Sequence, residues 1–262
     1  MAAEAAGRAG PGGRPCRPDW IAVDGPAGAG KSTLARALAR CLGYRYVDSG
    51  ATYRAAALAV LRAGLRPEEE AHWPAIVELV GRCRIQLDTS AADGGSTRVW
   101  LDGEEVTQAI RSPQVSQAAS SVARIPGVRA RLARLQRELA EQGPCVMDGR
   151  DIGTVVLPDA CVKLFVTASL AERARRRALE LAGPDAPQAL VARLARELES
   201  RDLQDSTRSV APLVAAADAQ VVDTTWLTVE QALEQALAAV RRRLGREGPR
   251  CTGSPGGSSD PS

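Results

Sequence analysis

Gly25-Pro26-Ala27-Gly28-Ala29-Gly30-Lys31-Ser32 fits the pattern G-x-x-x-x-G-K-[ST] in full, and no other stretch constrains the fold as tightly. An apolar run, Trp20-Ile21-Ala22-Val23, leads into it, and Leu34, Leu38 and Leu42 recur every four residues beyond it until Gly43. The order is strand, glycine turn, amphipathic helix. Such a turn curls successive backbone N–H groups around a phosphate, and the helix N-terminus adds positive potential. Gly25, Pro26, Ala27, Gly28, Ala29, Gly30, Lys31, Ser32 and Thr33 are therefore the candidate phosphate cradle. Lys31 would reach the β- and γ-phosphates of a nucleoside triphosphate, and the Ser32 hydroxyl would hold the Mg²⁺ that bridges them.

Lys31 stands out further because only one other lysine, Lys163, occurs among 34 basic residues. Those 34 are balanced by 31 acidic residues to a net charge of +3, so no broad field marks the chain as a binder of nucleic acid or acidic membranes. At 262 residues and 45% apolar, the chain suits one globular domain with an insertion, or two small ones. No apolar run approaches the roughly 20 residues that span a bilayer, and the start lacks the h-region of a signal peptide. The six cysteines form no CxxC pair and His72 is alone, which argues against a zinc site or a disulfide scaffold and for reduced thiols in a cytoplasmic protein.

Residues 1–18 and 247–262 are rich in Gly, Pro, Ala and Ser without apolar periodicity, and read as disordered tails around a domain at 19–246. Within that domain, short apolar runs alternate with helical patterns, the signature of parallel strands joined by crossover helices. Strands are expected at 44–47, 145–148, 162–167 and 220–223, and helices at 53–62, 113–123, 127–142 and 187–200. Residues 84–88 and 98–101 alternate polar with apolar, and Asp102-Gly103 supplies a tight turn, so a small antiparallel insertion lies within about 67–123. Two S/T-x-x-E/Q capping boxes, Ser169 with Glu172 and Thr228 with Gln231, open later helices. The stretch after 200 reads as a polar, arginine-bearing loop, part of a lid over about 172–212. His72 is expected at the surface and Trp100 in the core.

A triphosphate site alone does not separate kinases, GTPase switches and mechanical ATPases. No N-K-x-D guanine reader exists, since Lys163 stands in Val162-Lys163-Leu164-Phe165, and no L-S-G-G-Q segment is present. Two further strand ends carry charge: Asp48-Ser49-Gly50-Ala51-Thr52-Tyr53-Arg54 and Asp148-Gly149-Arg150-Asp151. In open α/β sheets ligands bind at the carboxyl ends of strands, so both segments point to one crevice. Arg54 and Arg150 each offer a planar fork for a second phosphate.

With these motifs, Ala119-Ser120-Ser121-Val122-Ala123, Pro126-Gly127-Val128-Arg129, the run Asp148 to Val156, and Arg201-Asp202, Asp205 and Arg208 before Ala211-Pro212-Leu213, the chain over about 20–244 resembles the bacterial-type cytidylate kinases, a branch of the P-loop nucleoside monophosphate kinases. The resemblance implies an α/β fold: a five-stranded, mostly parallel sheet flanked by helices, with a small antiparallel acceptor-side insertion and a helical lid. It implies γ-phosphoryl transfer from Mg-ATP to CMP or dCMP by a cytoplasmic monomer with no nucleic acid or membrane partner. Residue by residue, Ser120, Arg129 and Asp151 match contacts to the cytosine edge. Arg54, Arg150 and Arg208 match contacts to the acceptor phosphate, Arg201 and Asp205 positions near the ribose, and Ser49 and Asp148 lie among the substrate-binding residues. Lys31, Arg150 and Arg176 are the expected catalytic groups.

Arg173, Arg175, Arg176 and Arg177 crowd one helix start; at 3.6 residues per turn Arg173 shares a face with Arg176 and Arg177 while Arg175 points away. The stretches Leu203-Gln204 and Ser206-Thr207 lack the extra basic residues of relatives, which leaves more of the clamping to the lid-entry arginines. A kinase with another acceptor would share Lys31 and Ser32 but lose the preference for cytosine, a non-catalytic nucleotide-binding module would bind nucleotide without transfer, and neither explains the second arginine cluster as directly.

Overall fold

A computed structural model describes residues 16–89, 97–208 and 210–245. Both ends of the chain read as tails lie almost wholly outside that range. At its centre, β1 (Arg17–Asp24) is flanked on one side by β6 (Cys145–Asp148) and β2 (Arg45–Asp48), and on the other by β7 (Ala160–Thr167) and β8 (Gln220–Asp223). Every pairing in this sheet is parallel. β1 begins at Arg17, within the stretch read as a tail, because Arg17 pairs with Ala160 before a register shift carries the pairing on to Ile21 and Val162.

Burial on both faces explains the continuous apolar composition of β1. Ile21 and Val23 point to one face, where they meet Leu34 and Leu38 of α1 (Lys31–Leu42) and Ala236 and Val240 of α8 (Val229–Leu244). Trp20 and Ala22 point to the other, packing with Leu139 of α5 (Pro126–Glu141) and with Ile152, Val156 and Leu157. Residues Ile152–Val156 form a single π turn rather than continuing β6. Asp24 at the end of β1 accepts the N–H groups of Ile152 and Gly153 at 2.8 and 2.7 Å, which ties that turn to the strand.

The insertion is as expected, a three-stranded antiparallel sheet of β3 (Ile85–Leu87), β4 (Val99–Leu101) and β5 (Glu104–Glu105). Asp102 and Gly103 turn it with φ of 52° and 90°, the left-handed pair that a two-residue hairpin requires. Its inner face, Ile85, Val99 and Leu101, shares a second core with α2 (Ser49–Arg62), α3 (Trp73–Arg82), α4 (Pro113–Val122) and α5. Trp100, expected in the core, is half-buried on the opposite face with the Arg98 guanidinium 5.0 Å from its ring. His72 is half-buried too, its Nδ1 accepting the N–H of Arg66.

α6 (Leu170–Ala182) and α7 (Gln188–Ser206) form a helical hairpin over the phosphate loop, joined by the small cluster Ala174, Ala178, Leu194 and Leu198 against Ala27. α7 runs to Ser206, so residues 201–206 are helical rather than loop, and Arg201, Asp202 and Asp205 are projected from a rigid element. Thr228 and Gln231 make the reciprocal capping box. Ser169 makes half of one: its Oγ accepts from Glu172 N, but the Glu172 carboxylate is taken by Arg175 and Arg176, and Thr225 Oγ1 accepts the Ser169 N–H instead. Reduced thiols were expected throughout, yet Cys16 and Cys161 form a disulfide and Cys41 is disulfide-bonded as well. Spacing in sequence carried no trace of the first pair, which the Arg17–Ala160 pairing brings to a Cα separation of 5.0 Å. No helix among the described residues is long and apolar enough to cross a membrane.

Ile21 is fully buried in the central strand, so Ile21→Ala should lower unfolding free energy by about 2–5 kcal/mol. Urea denaturation checks this; a loss below about 1 kcal/mol would contradict the packing described.

Candidate active site

Because the strands run in parallel, the loops after β1, β2, β6, β7 and β8 all open on one edge of the sheet. The loop after β1 can follow its path only with glycine at position 25: φ is +144° and a Cβ there would stand 1.9 Å from the Val166 carbonyl oxygen. Gly30, at φ 82°, caps α1 with no side-chain hydrogen bond, which leaves the first amides of the helix for an anion. The loop's carbonyls are meanwhile occupied by the protein. Pro26 O accepts from Lys31 Nζ at 2.5 Å, Ala27 O from Arg173 at 3.1 Å and Ala29 O from Thr224 Oγ1 at 3.1 Å.

Lys31 is buried, and its ammonium is held well below the usual lysine range, first by desolvation and then by the charge of Arg150. Asp148, Asp24 and Asp205 pull the other way. Arg150 therefore lies within electrostatic reach of Lys31, as a donor phosphate beside an acceptor phosphate requires. Two cations so placed repel each other until an anion separates them.

Asp148 is the hub of the edge. Its Oδ2 accepts from Ser32 Oγ at 2.6 Å and its Oδ1 from the Tyr46 hydroxyl at 2.9 Å, and burial followed by the neighbouring Asp48 raises its pKa. Asp48, level with it across β2 and β6, caps α2 through Ala51 N and pairs with Arg54 at 2.8 Å. A hydroxyl and a carboxylate are the hard oxygen donors Mg²⁺ takes, with phosphate and water completing its shell. The Ser32 hydroxyl and the Asp148 carboxylate, side by side, fit that donor set.

On the acceptor side, Asp205 gathers arginines. Arg150 Nε meets its carboxylate at 3.0 Å, and Arg208 approaches within 3.5 Å while donating from Nε to its backbone oxygen. Arg201 is depressed below its ordinary pKa by burial and then by Arg150, with Arg54 and Arg177 adding to the repulsion. Buried Arg54 Nε and Arg208 Nη2 have no hydrogen-bond partner. Unsatisfied guanidinium donors inside a cation cluster fit a site shaped for an anion.

Arg129 and Asp151 form a buried ion pair, with Arg129 also donating to Ala123 O at 3.1 Å and its guanidinium 5.8 Å from the Tyr53 ring. Ser120 sits half-buried on α4 one turn before Ala123. The Ser49 hydroxyl donates to Asp148 O at 2.6 Å, fastening β2 to β6.

The lid-entry arginines divide differently from the helical wheel. Arg173 is buried, bonding Ala168 O, Ala27 O and Asp202, so it braces α7 against the phosphate loop. Arg176 bonds Glu172, Thr224 Oγ1 and Thr224 O, above Gly30. Arg175 pairs with Glu172 at the surface, and Arg177, grouped by periodicity with Arg173, turns out to solvent toward Glu180.

This architecture coincides with a known one: the family model described as Cytidylate kinase matches residues 21–242. The chain belongs to the cytidylate kinase family. A cytidylate kinase of Limosilactobacillus fermentum is 48% identical over 224 residues, covering 86% of this chain and 96% of the relative. One from Pelotomaculum thermopropionicum is 50% identical over 224 residues, covering 84% and 95%. A bifunctional pantoate ligase/cytidylate kinase of Synechococcus is 43% identical over 237 residues, 90% of this chain but 43% of that longer protein.

Several supports of this cytidylate kinase family site escaped sequence reasoning. Asp24, Tyr46, Gln136, Glu172 and Thr224 act through contacts 84 or more residues apart in sequence or through a carboxylate diverted from its cap. Asp24 had one available signal, a carboxylate ending an apolar strand beside the phosphate loop.

Asp24 predicts a pH dependence. Burial pushes its pKa up from 3.8 to about 6, against the lowering effect of its two backbone bonds. The folded state thus holds a proton that the unfolded state releases, and this contribution is complete below pH 3.8 and lost as pH rises through about 6. The stability difference between wild type and Asp24→Asn should fall by up to about 3 kcal/mol from pH 4 to 6.5 and then flatten. Urea titrations across that range check the sign; a difference rising with pH refutes it.

Proposed function

We propose that the protein transfers the γ-phosphoryl group of ATP to CMP or dCMP, giving ADP and CDP or dCDP. The observation that carries the reading is the 2.6 Å hydrogen bond from Ser32 Oγ to Asp148 Oδ2: it joins the first turn of α1, behind the phosphate loop, to the strand end that Arg150 follows.

Under this reading the loop amides and Lys31 hold the donor phosphates, and Arg54, Arg150 and Arg208 hold the acceptor phosphate. Asp205 keeps Arg150 and Arg208 in place in the absence of that phosphate, and Arg201 with Asp205 borders the ribose. Arg129 donates to the acceptor oxygen and ring nitrogen of cytosine, while Asp151 accepts from its amine. Ser120 on α4 completes the base edge, and Ser49, committed to Asp148 O, shapes the floor.

The attacking atom is a phosphate oxygen already ionised near neutral pH, so no general base is demanded. Acceleration comes from in-line positioning and from cations placed where charge moves during transfer. Ser32 and Asp148 would hold Mg²⁺, which supplies charge neutralisation at the donor phosphates. Arg176 and Lys31 supply the protein's share. Water competes as an acceptor, and the α6–α7 hairpin, held by a small apolar cluster, is placed to cover the site once both nucleotides are seated.

Turnover on a panel of monophosphates with Mg-ATP tests the acceptor: CMP and dCMP should exceed UMP, AMP and GMP in kcat/KM, and equal turnover of a purine monophosphate would refute the base assignment. Arg150→Ala should lower kcat/KM for CMP by about 100-fold or more while the ATP dissociation constant changes less than about threefold. Unaltered CMP kinetics would remove Arg150 from the acceptor site.

A further inference from the structure

Tyr46 is a tyrosine in the interior of β2, 5% exposed, and its hydroxyl is directed at one group, the Asp148 carboxylate on the adjacent strand. Its ring belongs to the core between sheet and α1, with the Arg36 guanidinium 5.0 Å from the ring centre. Arg36 lies one turn beyond Ser32 on the same helix. Three elements therefore meet at one carboxylate: β2 through Tyr46, β6 through Asp148, and α1 through Ser32.

A carboxylate only accepts hydrogen bonds, so Asp148 receives one proton from each hydroxyl. The Ser32 proton is thereby turned toward Asp148 Oδ2, and the oxygen's lone pairs are left free on its other side. That orientation depends on the carboxylate not rotating. The Tyr46 hydroxyl on Oδ1, 2.9 Å away, opposes that rotation, and a turn of the carboxylate would release the Ser32 hydroxyl.

We propose that Tyr46 is a positioning residue of the phosphoryl-transfer site. By occupying Asp148 Oδ1 it keeps Oδ2 for the Ser32 hydroxyl, which presets Ser32 as a metal ligand. This rests on the reading of Ser32 and Asp148 as the holders of Mg²⁺ with a bound nucleoside triphosphate. It assigns to β2 a part in donor-side chemistry, where the sequence had given that strand only acceptor-side residues.

Tyr46→Phe removes one hydroxyl and keeps the ring. Calorimetric titration with ATP, with and without Mg²⁺, separates positioning from folding. The gain in ATP affinity on adding Mg²⁺ should shrink about tenfold in Tyr46→Phe, while metal-free ATP affinity stays within about threefold of wild type, and in turnover kcat should fall with KM for CMP unchanged. In an Asp148→Asn background the same Tyr46→Phe change should add nothing, as expected when one residue acts through the other. An unchanged Mg²⁺ gain, or equal losses with and without metal, overturns the proposal. Should Tyr46→Phe fold poorly, Tyr46→Met, which also removes the hydroxyl, must show the same selective loss of the Mg²⁺ gain, and its absence is equally decisive. ATP titration needs no acceptor, so a wild type that binds Mg-ATP but phosphorylates no CMP refutes the acceptor assignment and leaves this test standing.

Discussion

Five strands running in one direction impose the constraint on which the rest depends. Each strand's carboxyl end must release its chain at the same edge, and Asp24, Asp48, Asp148, Thr167 and Asp223 are the residues found there. Three carboxylates ending three adjacent buried strands would repel one another and resist desolvation. They are offset by the groups that the following loops bring back: Lys31 beside Asp148 and Asp24, Arg54 on Asp48, Ser32 and Tyr46 on Asp148, and two backbone amides on Asp24. The site is thus assembled as the complement of the sheet's own buried charge.

The outer layer carries a cationic surplus. Arg150 and Arg208 pair with Asp205, Arg201 lies one turn before it on α7, and Arg201 and Arg208 are depressed first by burial. A cluster of this kind is stable in two ways, with its arginines resting on the enclosed carboxylate or with bound phosphates between them. Asp205 belongs to α7, so the state of the cluster is mechanically linked to the lid. Arg173 extends that link, since it joins Ala27 of the phosphate loop to Asp202 of the same helix. The loop after β1, these arginines and the α6–α7 hairpin are therefore connected through one helix.

Much of this was legible in the chain of letters. The phosphate loop, the parallel alternation, the Asp102-Gly103 hairpin and the strand at Gln220–Asp223 follow from local rules of period, glycine placement and turn chemistry, and they are found as read. What failed, failed through competition for side-chain partners. Residues 201–206 looked like loop because they are polar, yet α7 continues to Ser206, with Asp202 and Asp205 paired across the site to Arg173 and Arg150. Glu172 should have closed a capping box, and two arginines took it instead. Periodicity put Arg177 with Arg173 and Arg176, but Glu180, one turn on, holds it outward.

The sequence by itself determined the class of chemistry, because a glycine-lysine-serine loop between strand and helix can be satisfied by little besides a polyphosphate. It also pointed to the edge where Arg54 and Arg150 lie, since arginines following parallel strand ends have only one edge on which to emerge. The tertiary structure alone decided how those groups bear on one another: that Lys31 feels Arg150, that Tyr46 and Ser32 share Asp148, that Cys16 reaches Cys161. Such relations depend on strand order and register, and the register of residue 48 against 148 or 17 against 160 arises from packing summed over the whole sheet, which no local stretch of chain encodes.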